Sequence, residues 1–225
     1  MELASVILAR AVAWIEPGEL NGRGHLFYPD FVKAVVARYG FLGYPQKLED
    51  FDENKGVTFS GGKLGNSSIQ QIIIYAHGIV VDTQASTQDS KRLLEEALEW
   101  ASKEFGLKYK PSMIQRWQYA SQITFRSNVQ LTCVHPALQR LVDGASEAVT
   151  ETLGESLTYE VTSITVDYDQ LTRKNPLGRF SIQRRDNTPF SENKYFSDAP
   201  LQTNVHIRLL EQFEADVIAS SRTAK

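Results

Sequence analysis

Two stretches of the sequence, residues 108–126 and 173–185, are rich in basic side chains. Acidic residues make up 27 of the 225 residues, yet none lies between positions 105 and 142. Basic groups neutralise phosphates and aromatic rings stack on bases, so this composition is typical of a nucleic-acid interface, and it also suits an acidic protein partner. The alternative is that these cations pair with acids elsewhere in the chain. The candidate binding residues are Lys108, Lys110, Arg116, Trp117, Arg126, Arg173, Lys174, Arg179, Arg184 and Arg185.

Nucleophilic catalysis is a second chemistry that the residue types allow, through Cys133 and His135. Residues two apart in an extended chain point the same way, so a thiol and an imidazole at this spacing would suit a cysteine/histidine-dependent hydrolase. Cys133 lies in an apolar run, however, and no Lys or Arg is adjacent to favour the thiolate. We therefore predict an inert, buried thiol and no catalytic residues.

The remaining polar groups favour structural roles. Asp82 and the hydroxyls of Thr83, Ser86, Thr87 and Ser90 lie where a helix begins, and N-capping accounts for them without a bound anion. The acidic residues of positions 49–53 lack the glycine and the ligand spacing of a calcium loop. The four histidines show no metal-ligand spacing and are His25, His77, His135 and His206. We predict no metal site and no cofactor.

Residues 68–106 give the clearest secondary-structure pattern. The apolar, β-branched run from Ile72 predicts a buried strand, and Gly78 permits the tight reversal into a second strand. Ser86 and Thr87 are N-cap candidates for a helix with an apolar stripe, and Gly106 is placed to end that helix.

The rest of the chain is interpreted in the same way. Further strands are predicted at residues 6–15, 56–63, 119–131, 157–168 and 179–184, and residues 186–200 are predicted to be irregular. Further helices are predicted from Pro29 to Gly40, from Pro136 to Gly154 and from Thr203 onward. The helix from Pro136 is expected to bury one side, formed by Leu138, Leu141, Val142, Ala145, Val149 and Leu153.

The order of these elements predicts an α+β fold built from two pseudo-repeated β-α-β-β(-β)-α halves. The halves span residues 1–106 and 118–219, with a link at 107–117, within a single compact unit of residues 1–225. We expect a mainly antiparallel sheet in which the first strands of the halves meet in the middle, with four helices packed on one face. Sequence identity between the halves is low, so chance repetition of a common order remains the alternative to duplication.

Composition restricts the class of protein further. The net charge of −3 gives the whole chain no attraction to nucleic acid or to an anionic membrane. One cysteine excludes an internal disulfide and favours the cytoplasm. No apolar run approaches the roughly 18 residues of a spanning helix, so we expect no membrane association.

We therefore expect a non-enzymatic protein-interaction subunit or adaptor of a larger assembly, with a protein partner or a homo-oligomer. The first alternative is a nucleic-acid-binding module that uses residues 108–126 and 173–185. The second alternative is the cysteine/histidine-dependent hydrolase.

Overall fold

The structure is a computed structural model that describes residues 1–21, 27–132, 134–172 and 177–223. These residues form an α+β fold with five α-helices and a mostly antiparallel sheet of eight strands. The helices are α1 (Pro17–Leu20), α2 (Tyr28–Tyr39), α3 (Thr87–Phe105), α4 (Pro136–Leu153) and α5 (Thr203–Thr223). The strands are β1 (Glu2–Trp14), β2 (Val57–Leu64), β3 (Ser67–Tyr75), β4 (Gly78–Thr83), β5 (Arg116–Arg126), β6 (Ser163–Val166), β7 (Phe180–Arg184) and β8 (Lys194–Ala199).

The strand order in the sheet is β2-β3-β4-β1-β5-β8-β7-β6. The predicted first strands, now β1 and β5, are neighbours at its centre. The duplication, the single compact unit and the packing of four helices on one face stay predictions.

The chain forms two compact units. The strands β1 and β5 are each divided between them, with one part of the strand in each unit. Unit I comprises Val6–Ser121 and Pro200–Asn204, and unit II comprises Met1–Ser5, Gln122–Ala199 and Val205–Lys225.

Unit I contains a large apolar core between its strands and the helices α2 and α3. Alternate residues of β1 are fully buried, and Leu94 of α3 packs in the same cluster as Val81 of β4. The predicted capping is confirmed, because the Ser86 hydroxyl accepts a hydrogen bond from the Asp89 amide and Gly106 adopts the left-handed conformation that ends α3. The hairpin of β3 and β4 pairs antiparallel up to its tight turn, as predicted.

Unit II has a smaller and more polar interior. β6, β7 and β8 form an antiparallel meander, and Tyr195 of β8 stacks on Phe125 of β5. The predicted irregular segment 186–200 is wrong in part, since it contains β8. The predicted strand at 157–168 is reduced to the four residues of β6. The strand predicted to reach position 131 ends at Arg126, and the next amide, that of Ser127, donates to the Asn193 carbonyl.

Helix α4 buries its predicted apolar side only in part, because Leu138, Val142, Ala145 and Val149 are half-buried and Leu141 and Leu153 are exposed. Its ends are as expected, with Pro136 in the first turn and Gly154 in the left-handed C-cap conformation. All eighteen residues of α4 are described, and none of them is buried. Leu141 and Leu153 are 68% and 60% exposed.

Candidate functional site

Arg116 and Trp117, the centre of the first basic stretch, lie on β5 in unit I. The guanidinium of Arg116 lies 4.8 Å from the centre of the Trp14 ring, and the Trp14 indole N–H donates to the Gln118 side chain at 2.5 Å. The ammonium of Lys91 on α3 lies 5.1 Å from the Trp117 ring, which stacks in parallel with Tyr119.

Trp117 contributes to the apolar core of unit I, whereas Arg116 is exposed. Because successive residues of a strand point to opposite faces, Arg116 and Trp117 lie on different sides of β5. The structure therefore does not bring this predicted cation and this predicted stacking ring to one surface.

Lys108 and Lys110 precede β5 and are exposed. Neither these lysines nor Arg116 forms an ion pair with a carboxylate in the described part of the chain. They are the basic side chains of the first stretch that remain available to a phosphate or to an acidic partner.

The other predicted cations lie in unit II, and several have acidic partners there. Arg126 donates to Glu192 at 3.2 Å, and Arg179 donates to Asp167 at 2.7 Å. The pKa of Glu192 lies below its ordinary value because Lys194 and Arg126 stabilise its charged form against the cost of desolvation. Arg185 is exposed, and Arg173 and Lys174 lie outside the described residues. The pairing alternative thus applies to Arg126 and Arg179, and also to Arg184, which is paired with Glu160.

Arg184 has a structural environment rather than a binding one. Only 7% of this residue is exposed, and its guanidinium donates to Glu160 at 2.5 Å and to the Phe190 carbonyl at 2.7 Å. The same group lies 5.0 Å from the centre of the buried Tyr195 ring. These contacts hold the loop before β8 against β7, and they leave Arg184 inaccessible to a partner.

Cys133, which is predicted to be an inert, buried thiol, lies outside the described residues. The ring of His135 has a capping role, since its Nδ1 accepts the amide hydrogen of Ala137 in the first turn of α4. Sequence reasoning missed a different pair in unit II, in which the Ser197 hydroxyl lies 2.8 Å from the His206 Nε2.

Ser197 and His206 are both fully buried. The Ser197 hydroxyl donates to the Ser181 carbonyl at 2.6 Å, so it accepts from the imidazole. The Ser197 hydroxyl therefore connects β7, β8 and α5 through its hydrogen bonds. It is closed to solvent, so a substrate has no access to it.

The hydroxyls at the start of α3 are occupied by other groups of unit I. Thr83 and Ser90 share a hydrogen bond of 2.9 Å, and Ser90 also contacts the Ala9 carbonyl at 2.6 Å. Within the described ranges, no group of three or more His, Cys, Asp or Glu residues is arranged to hold a metal ion. No helix in those ranges has the length and apolarity needed to cross a bilayer.

The apolar side of α4 is the largest departure from the sequence prediction in unit II. Leu141 and Leu153 are exposed, and further exposed apolar side chains follow the helix at Leu157 and Tyr159. A Cβ atom added at Gly144 of α4 would have no other atom within 4 Å, so this position of the helix faces open space. Exposed apolar side chains that lie close together mark interaction sites in monomeric proteins. On α4 the exposed leucines flank a half-buried centre, formed by Leu138, Val142, Ala145 and Val149.

The chain matches no protein-family model and no curated protein.

Proposed function

We propose that this chain is a non-enzymatic protein-interaction subunit that binds its partner through α4. The observation that carries the proposal is the exposure of Leu141 and Leu153 on a helix that buries none of its eighteen described residues. A helix of this amphipathic pattern normally gains its stability by packing its apolar side. A partner would supply that packing, in the manner of a helix bound in an apolar groove.

The charges of α4 indicate the kind of partner. The polar positions of the helix and its C-terminal end carry one cation, Arg140, and four acids, Asp143, Glu147, Glu151 and Glu155. A second copy of the same helix would bring two acidic surfaces together, which disfavours self-association at low salt. We therefore assign the site to a different protein whose apolar surface is bordered by Lys or Arg.

Photo-crosslinking in the native cell tests this assignment. A benzophenone side chain is placed at position 141, and the matched control carries it at Leu48 of unit I, which is 92% exposed but lies outside α4. The expected result is one discrete heterologous product from position 141 that is absent from position 48. Only self-crosslinked dimers, or identical products from both positions, would contradict the proposal.

Nucleic-acid binding is the second candidate function. It rests on Lys108, Lys110 and Arg116, which are exposed in unit I and form no ion pair within the described residues. Sequence-independent binding to a phosphate backbone requires such free cations. The ion pairs of Arg126 and Arg179 and the burial of Arg184 reduce the support for this function.

A further inference from the structure

Unit I contains an apolar cavity of about 200 Å³ between its sheet and the helices α2 and α3. Its walls are mostly aliphatic and aromatic, with contributions from Phe31 and Val35 of α2, Phe59 of β2, Ile72 of β3, and Leu98 of α3. An apolar cavity of about 150 Å³ accommodates benzene, so this volume suits one aromatic ring with a short substituent.

One edge of the cavity is polar. Glu53 is the one charged residue of its described lining, and its carboxylate accepts a hydrogen bond of 3.0 Å from the Tyr28 hydroxyl. No Lys, Arg or His of the described residues lies within ion-pair distance of Glu53. Burial raises the pKa of Tyr28, and the adjacent Glu53 carboxylate raises it further, so Tyr28 stays a neutral donor at physiological pH.

We infer that this cavity binds a small aromatic molecule that carries a primary ammonium group. The ring would occupy the apolar interior, and the ammonium would lie at Glu53, where a half-buried carboxylate attracts a cation more strongly than it would in bulk water. An anionic ligand would meet repulsion at the same place. This inference is independent of the proposed role of α4, which belongs to unit II.

Three probes of nearly equal size test the inference, namely phenethylamine, ethylbenzene and phenylacetate. Binding is followed by NMR on the methyl groups of Val35 and Leu98, which line the cavity. Phenethylamine is expected to bind most tightly and phenylacetate most weakly. Glu53→Gln should weaken phenethylamine about tenfold, the loss of one charge-assisted contact, and leave ethylbenzene unchanged.

A cavity-filling variant locates the site. Ala97 lines the cavity from α3, and Ala97→Leu should abolish the binding of all three probes. If that variant does not fold, the methyl shifts of the wild-type chain still decide the location. No methyl shift with any probe would overturn the site, and equal affinity for phenethylamine and phenylacetate would overturn the ligand class.

Discussion

Thr87 and Thr203 exchange hydrogen bonds with each other's backbone. The Thr87 amide donates to the Thr203 hydroxyl oxygen at 3.1 Å, and the Thr203 amide donates to the Thr87 hydroxyl oxygen at 2.9 Å. Each side chain therefore satisfies an amide that the first turn of the other helix leaves without an intrahelical acceptor. Gln88 and Asn204 extend the contact with a third hydrogen bond of 2.7 Å.

Substitution of Thr203 measures the strength of this exchange. Both threonines are buried, so Thr203→Val leaves the Thr87 amide without its acceptor, and we expect a loss of about 1–3 kcal/mol in the free energy of unfolding. Thr203→Ser retains the oxygen and is the matched control. Thr87→Val removes the other hydrogen bond of the exchange and should give a loss of similar size in urea unfolding. Equal effects of Val and Ser at position 203 would show that the hydrogen bond contributes nothing.

The sequence predicts that Thr87 and Thr203 each lie where a helix begins. It could not show that the two side chains meet, since 116 positions separate them. The reciprocal contact involves only the first turns of two helices, and the origin of the halves by duplication stays a prediction.

Two leucines on different helices provide a test of the apolar packing. Leu98 of α3 is 5% exposed within the core of unit I, and Leu141 of α4 is 68% exposed. Leu98→Ala should cost about 2–5 kcal/mol, because it removes buried methyl groups and leaves a cavity. Leu141→Ala should change the free energy of unfolding by less than about 0.5 kcal/mol. Chemical denaturation of both variants measures the difference, and equal losses would show that α4 is packed in solution.

Sequence reasoning missed strand β8 and overestimated the burial of helix α4, for different reasons. Residues 186–200, which include β8, are predicted to be irregular because the segment is polar and contains Pro189 and Pro200. The interior of unit II nevertheless accepts a polar residue, Ser197, at a buried position of β8. α4 was predicted to bury its apolar side because periodicity reveals an amphipathic helix but not what covers it. The apolar runs of unit I were read correctly because β3, β4 and α3 pack against one another over short sequence distances.

The predicted basic residues show a similar limit of sequence reasoning. Composition identified the basic residues, but adjacent positions such as Arg184 and Arg185 look alike in a sequence. The strand alternation of β7 turns the first inward to Glu160 and leaves the second exposed. Which cations are paired depends on acids far along the chain.

Substitution of these two adjacent arginines by alanine should change the free energy of unfolding by very different amounts. Arg184→Ala removes the partner of Glu160 and the hydrogen bond to the Phe190 carbonyl, so we expect a loss of about 3 kcal/mol, at the lower end of the range for a broken buried ion pair because Glu160 is partly exposed. Arg185→Ala should have an effect of less than about 0.5 kcal/mol. Thermal and urea unfolding distinguish the two, and a neutral Arg184→Ala would show that its pairing contributes no stability.

A salt titration separates the two candidate functions. Fluorescent single- and double-stranded DNA and RNA are titrated with the full chain at several salt concentrations. Each neutralised phosphate contributes about −0.7 to −0.9 to the log–log slope of affinity against salt, so replacement of Lys108, Lys110 and Arg116 by Ala should flatten any slope that these residues cause. Arg179→Ala is the control, because the Arg179 side chain is paired with Asp167.

We expect no binding tighter than about 10 μM at low salt, since the chain carries a net charge of −3 and Arg116 and Trp117 lie on opposite sides of β5. A steep slope that the triple variant flattens and the control retains would reverse this expectation and favour the nucleic-acid function over a protein partner.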